Sequence, residues 1–205
     1  MNRAEALGRL RELGTPFLTA SDIAAKLKLN PAAANMVASR LAKNGLLIHL
    51  ARGRWTLNEG INPLALPQAL AAPYPAYISL QTALFHYGMI SQVPQVIYAV
   101  TVAKTRRWST SLGVVSLHQV APDFFFGYEP LTNGVQIATP EKALLDILYL
   151  SPNRSRLFAR LPEVELPRNF SREKLRSMLA KIADPSRRRL VKTAWERLRP
   201  AIHQS

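Results

Sequence analysis

The chain has 205 residues, 48% of them hydrophobic, with 27 Lys and Arg against 13 Asp and Glu and a formal net charge of +14. That apolar content excludes wholesale disorder. The absence of cysteine excludes disulfides and thiolate metal sites and fits a reducing interior. The basic excess makes nucleic acid or an acidic partner the leading expectation.

Residues 1–13 are charged and amphipathic and do not read as a signal peptide. The most apolar region, 64–80, is broken by Pro67, Pro73 and Pro75, so no membrane span is expected. A cytoplasmic protein is expected. The charge gathers at the two ends. Residues 1–60 hold nine Lys and Arg against four acids, 61–167 hold seven against six, and 168–205 hold eleven against three.

The first end reads as a winged helix-turn-helix, residues 1–58. Leu7, Leu10 and Leu13 recur at helical spacing until Gly14 and Pro16 close the segment. A second helix follows, with Thr19 or Ser21 as N-cap and Ile23, Ala24 and Leu27 on its apolar face. A third starts at Asn30 and Pro31, buries Ala34, Ala38 and Leu41, and stops at Asn44-Gly45. Two short strands, LLIHLA and RWTL, join through Arg52-Gly53-Arg54.

This order leaves Ala32, Ala33, Asn35, Met36, Ser39, Arg40 and Lys43 on the outer face of the third helix. In helix-turn-helix proteins that face enters the major groove. Asn35 suits adenine, Ala33 and Met36 suit thymine methyls, and Arg40 and Lys43 suit phosphate. Arg52 and Arg54 are expected as a wing reaching backbone or minor groove. The competing reading is a protein-docking module with a solvated arginine turn.

Residues 59–76 are proline-rich and low in charge and read as a semi-rigid linker. Residues 77–205 read as an α+β domain ending in amphipathic helices. Ser79 is a candidate cap for a helix carrying Leu80, Ala83, Leu84 and Tyr87. VPQVIYAVTVAK and GVVSLHQV read as strands. GVQIATPEKALLDILYL reads as a strand turning into a helix capped by Thr139, with Pro140 first and Ala143, Leu144, Ile147 and Leu148 buried.

These segments carry a resemblance. Ser79, Thr82, Ala83, Leu84, His86 and Gly88 match a Ser-x-x-(Ser/Thr)-Ala-Leu segment before a His-Tyr/Gly step. Ala138, Pro140, Glu141, Lys142, Ala143, Leu144 and Asp146 match an Ala-x-Pro-Glu-Lys-Ala-Leu-x-Asp segment. With the winged-helix start, they make the chain resemble AbiEi-type antitoxins over nearly its whole length. The resemblance implies a DNA-binding repressor of its own toxin–antitoxin operon that counteracts a cognate nucleotidyltransferase toxin. It implies neither an enzyme nor a cofactor.

ATPEKALLD also invites a metal-dependent nuclease reading, together with Pro122-Asp123. Against it, Glu141 and Lys142 are adjacent and Pro140 marks a helix start, so the pair does not share a strand face. No metal is expected either, because His49, His86, His118 and His203 show no ligand spacing.

At the second basic end, Ser171 caps a helix with Leu175, Met178, Leu179 and Ile182 inside. Asp184 caps another with Leu190, Val191, Ala194, Trp195 and Leu198 inside. Arg187, Arg188, Arg189, Lys192 and Arg199 are left outside. This face reads as a second DNA surface, a dock for the toxin, or a solvated face. The expected partner is duplex DNA bearing inverted repeats, bound by a monomer or a cooperative pair. Direct toxin neutralisation with secondary DNA binding is the alternative.

Overall fold

The computed structural model describes residues 2–57, 60–131, 134–151, 164–198 and 203–204. The architecture is mixed α and β, and the described residues form two hydrophobic clusters.

The N-terminal unit runs α1 (Arg3–Arg11), β1 (Phe17–Thr19), α2 (Ala20–Leu27), α3 (Pro31–Lys43), β2 (Leu47–Ala51) and β3 (Arg54–Leu57). Thr19, rather than Ser21, caps α2. Its hydroxyl accepts the Asp22 amide while the Asp22 carboxylate accepts the Thr19 amide at 2.7 Å. A cap of this kind is worth about 1 kcal/mol. Asn30 caps α3 by accepting the Ala33 amide at 2.8 Å, and Pro31 takes the first turn, where its missing N–H costs nothing. Ala34, Ala38 and Leu41 are buried, and Gly45 supplies the left-handed exit with φ +71.

One strand of this unit carries no sequence signal. β1 has three residues, too few to show alternation, yet it pairs antiparallel with β3 to give the order β1-β3-β2. The period of two then divides the small sheet. Leu18, Leu47, Trp55 and Leu57 pack on the three helices. Phe17 and Ile48, both opposite Thr56, turn the other way. Alternation puts Leu50 on that side as well, and the register shift between His49 and Ala51 brings Ala51, opposite Arg54, to it too. Phe17, Ile48, Leu50 and Ala51 all join the second cluster. The hairpin is therefore an interface layer, covered by helices on one face and by the rest of the protein on the other.

The body begins where a linker is expected. Residues 59–76 instead contain a 3-10 turn (Pro63–Ala65) and α4 (Leu66–Ala71). The prolines occupy first turns or follow the helix end, so they delimit short helices rather than forbid them. Leu66 and Leu70 are buried in the body core.

Next come β4 (Ala76–Ile78), α5 (Leu80–His86), β5 (Val96–Thr101), β6 (Arg106–Thr110) and β7 (Gly113–Gln119). After a 3-10 turn at Pro122–Phe124 follow β8 (Tyr128–Pro130), β9 (Gln136–Ala138) and α6 (Pro140–Leu150). β10 (Glu165–Leu166), α7 (Arg172–Ala180), α8 (Pro185–Leu198) and β11 (His203–Gln204) complete the chain, β10 pairing in parallel with β11.

The main sheet is mixed, in the order β6-β7-β5-β4-β9-β8. Tyr77, Val100 and His118 align across three strands on one face, and Tyr77 reaches Asp146 of α6. Ile78, Ala99 and Leu117 align on the other face, where Leu117 shares a cleft with Leu70 of α4. α7 and α8 pack on α6, whereas α4 packs on β4, β5 and β7, and β2 touches β6. The basic C-terminal helices and the N-terminal unit thus lie on opposite faces of the sheet.

Ser79, expected as the α5 cap, makes no capping bond. Its hydroxyl donates to Asp146 Oδ2 at 2.6 Å, and Leu80 behind it takes a left-handed φ of +55. Thr139 does cap α6, accepting the Lys142 amide. α6 has buried residues all round, including Glu141, Lys142 and Asp146. Lys142 Nζ donates to Asp146 Oδ1 at 2.5 Å and to Phe124 O at 3.0 Å, with the Phe124 ring centroid 3.4 Å away. Tyr77 OH donates to Asp146 Oδ2 at 3.1 Å. Burial pushes the Asp146 carboxyl up and the Lys142 ammonium down, and each charge opposes the other's shift.

Candidate nucleic-acid interface

α3 owes its exposed face to its small inner residues. Ala34 and Ala38 let the helix lie close on α2, leaving Asn35, Met36, Ser39, Arg40 and Lys43 exposed and Ala33 half-buried. Met36 is 55% exposed, unusual for so large an apolar side chain and suited to a contact surface. No acidic residue occurs in α3.

The face is not wholly unengaged. Asn35 Nδ2 donates to Pro31 O at 2.9 Å, leaving its Oδ1 free to accept. Arg40 lies near the Met36 sulfur, 3.7 Å away. Asn44 Nδ2 donates to Arg40 O, and Arg3 donates to Asn44 Oδ1 at 2.7 Å. Arg3 thereby joins Arg40 beside a shallow groove of about 390 Å³ between α1 and α3. Sequence reasoning missed Arg3, since periodicity places a residue on its own helix but does not phase one helix on another.

The two hairpin arginines part company. Arg52 is exposed at the turn, and Gly53, with φ +72, accepts the Ala20 amide at 3.0 Å. Arg54 does not reach outward. Its guanidinium donates to Ala69 O at 2.9 Å and Ala72 O at 2.5 Å, the carbonyls ending α4. A cation at a helix C-terminus satisfies carbonyls left without partners and complements the helix dipole. Its expected DNA contact is corrected to an internal staple between the hairpin and the body.

The C-terminal cations divide in the same way. Arg187 donates to Tyr149 O at 3.2 Å and lies 5.0 Å over the Tyr149 ring. Arg188 Nε donates to Ile182 O at 2.8 Å, just past the end of α7. Both are half-buried, so the expected fully outward placement fails for them. Arg189 and Lys192 are exposed, with Lys192 3.9 Å from Glu196. Arg199 lies outside the described residues. Val191 and Trp195 are buried, but Leu190, expected inside, is 53% exposed. Ser171 and Asp184 cap α7 and α8 as their positions imply. Arg188→Glu should therefore cost about 1–2 kcal/mol of stability, since it removes a charge-assisted bond to a buried helix end. Arg189→Glu should stay within about 0.5 kcal/mol. Urea midpoints of the two variants check this, and equal midpoints would show that Arg188 holds nothing.

The acids and lysine of the nuclease reading turn inward. Lys142 and Asp146 are fully buried. Glu141 Oε1 accepts the Ser171 amide at 2.9 Å, and Lys174 Nζ lies 3.2 Å from Oε2. Burial works to raise the Glu141 pKa, but these bonds and one from its own backbone hold it below the usual carboxylate range. Asp123 is exposed at its 3-10 turn. His118 is buried beside Ser116 Oγ at 3.0 Å, and burial lowers its pKa to about 4, leaving a neutral imidazole at pH 7.

No family model matches the chain, and no curated protein matches it significantly. No helix among the described residues is long and apolar enough to cross a membrane.

Proposed function

We propose that the N-terminal unit is a winged helix-turn-helix that binds duplex DNA, α3 lying in the major groove and Arg52 at the wing tip. The observation that carries this reading is the α3 face. A well-capped helix presents Asn35, Met36, Ser39, Arg40 and Lys43 to solvent with no acid among them. Its elements follow in the order helix, strand, helix, helix, hairpin. Asn35 reads a base edge once its bond to Pro31 O yields, and Arg40, Lys43, Arg3 and Arg52 hold phosphates.

The chain acts as the autorepressor and antitoxin of a toxin–antitoxin operon. This rests on the AbiEi-like segments around Ser79 and Glu141. Those segments build the core here: Ser79, Lys142 and Asp146 share one buried network. The burial of Lys142 and Asp146 weighs against the nuclease alternative.

Gel shifts and footprinting on the promoter upstream of this gene test the reading, with the full chain on operator and random duplex. Asn35→Ala should remove most of the preference between them, about 1–3 kcal/mol, while binding to random duplex persists. Lys43→Ala should weaken both alike. Undiminished preference in Asn35→Ala would remove α3 from the specificity account.

A further inference from the structure

The boundary between the N-terminal unit and the body holds a cleft of about 480 Å³ that the α3 face does not use. α4 and Tyr74 form one side, and Lys104 and β6 form the other. Tyr74 is 53% exposed, and Trp108 is half-buried with the Arg106 guanidinium 5.0 Å from its ring centroid. Lys104 and Arg106 are exposed, and no carboxylate pairs with either among the described residues. Among the described residues, no Asp or Glu lines the cleft. Arg54 shares its wall, and the staple from Arg54 to Ala69 O and Ala72 O holds that wall in place.

We propose that this cleft binds a free nucleoside phosphate, its base against Tyr74 and Trp108 and its phosphates on Lys104 and Arg106. The volume falls in the range of small-molecule sites, which combine apolar or aromatic walls with a few polar groups. Aromatic faces take a planar base of any identity, and arginine stacked on an indole presents its remaining donors to phosphate. A duplex fits this chemistry less well. Its bases are stacked on one another, so it offers the cleft phosphate oxygens alone and leaves both rings unused. The register explains how cations and an aromatic meet. Arg106 is opposite Leu117 and Trp108 is opposite Val115, so both point to the α4 side, while Arg107 between them points away.

The test is fluorescence anisotropy of mant-labelled GDP titrated with the full chain. Saturable binding, competed by unlabelled GDP and ADP, is expected. Arg106→Ala and Trp108→Leu should each weaken it about tenfold or more. Arg172→Ala, exposed on α7 across the sheet, should leave it unchanged. Arg106 is exposed on an edge strand, so a matched melting curve for Arg106→Ala shows that the loss is not unfolding. Three results would overturn the proposal. One is no saturable binding by the folded chain. Another is competition by tripolyphosphate equal to that by GDP, which would mean a polyanion patch with no base contact. The third is displacement by single-stranded oligothymidylate far more tightly than by any mononucleotide, which would make the cleft a nucleic-acid groove.

Discussion

Asp146→Ala is expected to lower stability by about 3–5 kcal/mol, a large share of what a domain of this size possesses. Asp146 and Lys142 have no exposed surface, and Asp146 accepts from Lys142, Ser79 and Tyr77. Removing the carboxylate leaves an ammonium among the rings of Phe124, Phe126 and Tyr77 with only Phe124 O and the ring faces to hold it. Two hydroxyls lose their acceptor in the same step, each costing about 1–3 kcal/mol if no water replaces it. The double variant Lys142→Met, Asp146→Leu should recover part of the loss, because it removes the stranded charge but leaves Ser79 and Tyr77 unpaired. Recovery in the double variant separates a charge effect from simple loss of packing. Urea unfolding of the three proteins measures it. A loss below about 1 kcal/mol in Asp146→Ala would mean that the lysine escapes to water, and would contradict the closed core around α6.

Arg54→Ala and Arg52→Ala, only two residues apart, should have opposite signatures. Arg54 holds two carbonyls at the end of α4 from a part-buried position, so its removal should cost about 2–3 kcal/mol and loosen the N-terminal unit from the body. Faster proteolysis in the span joining them should accompany the loss. Arg52 is exposed and makes no side-chain bond among the described residues, so Arg52→Ala should leave melting unchanged. It should instead weaken operator and random duplex alike and flatten the dependence of log K on log salt by about 0.9, one phosphate contact. An unchanged melt with a reduced salt slope in Arg54→Ala would return that arginine to the DNA and undo the staple.

Much of the N-terminal unit is legible in the sequence. Thr19 or Ser21, Asn30 and Pro31 announce helix starts, and Ala34, Ala38 and Leu41 repeat at helical spacing, because caps and periodicity act within a few residues. The turn at Gly53 is legible for the same reason. The body is less so. β6 carries Arg106 and Arg107 and shows little apolar alternation because it is an edge strand, and β1, β4, β8 and β9 have three residues each. α4 hides behind prolines that look like linker punctuation.

The residues of the candidate interface divide along the same line. That Asn35, Met36, Ser39, Arg40 and Lys43 share one helix face follows from a rotation of about 100° per residue, and sequence by itself determines it. So does the basic balance of the two ends. Which arginine is available to a partner is another matter. Arg52 and Arg54 look equivalent in the sequence, as do Arg187, Arg188 and Arg189. Only tertiary structure separates them, because α4 and α6 bring the carbonyls of Ala69, Ala72 and Tyr149 to positions that local periodicity does not specify. Ser79 and Asp146 stand 67 residues apart, and nothing in the local pattern of either shows that they meet in a dry core. An unpaired polar group in such a core is costly, so the distant partners and not the local pattern decide which polar side chains turn inward.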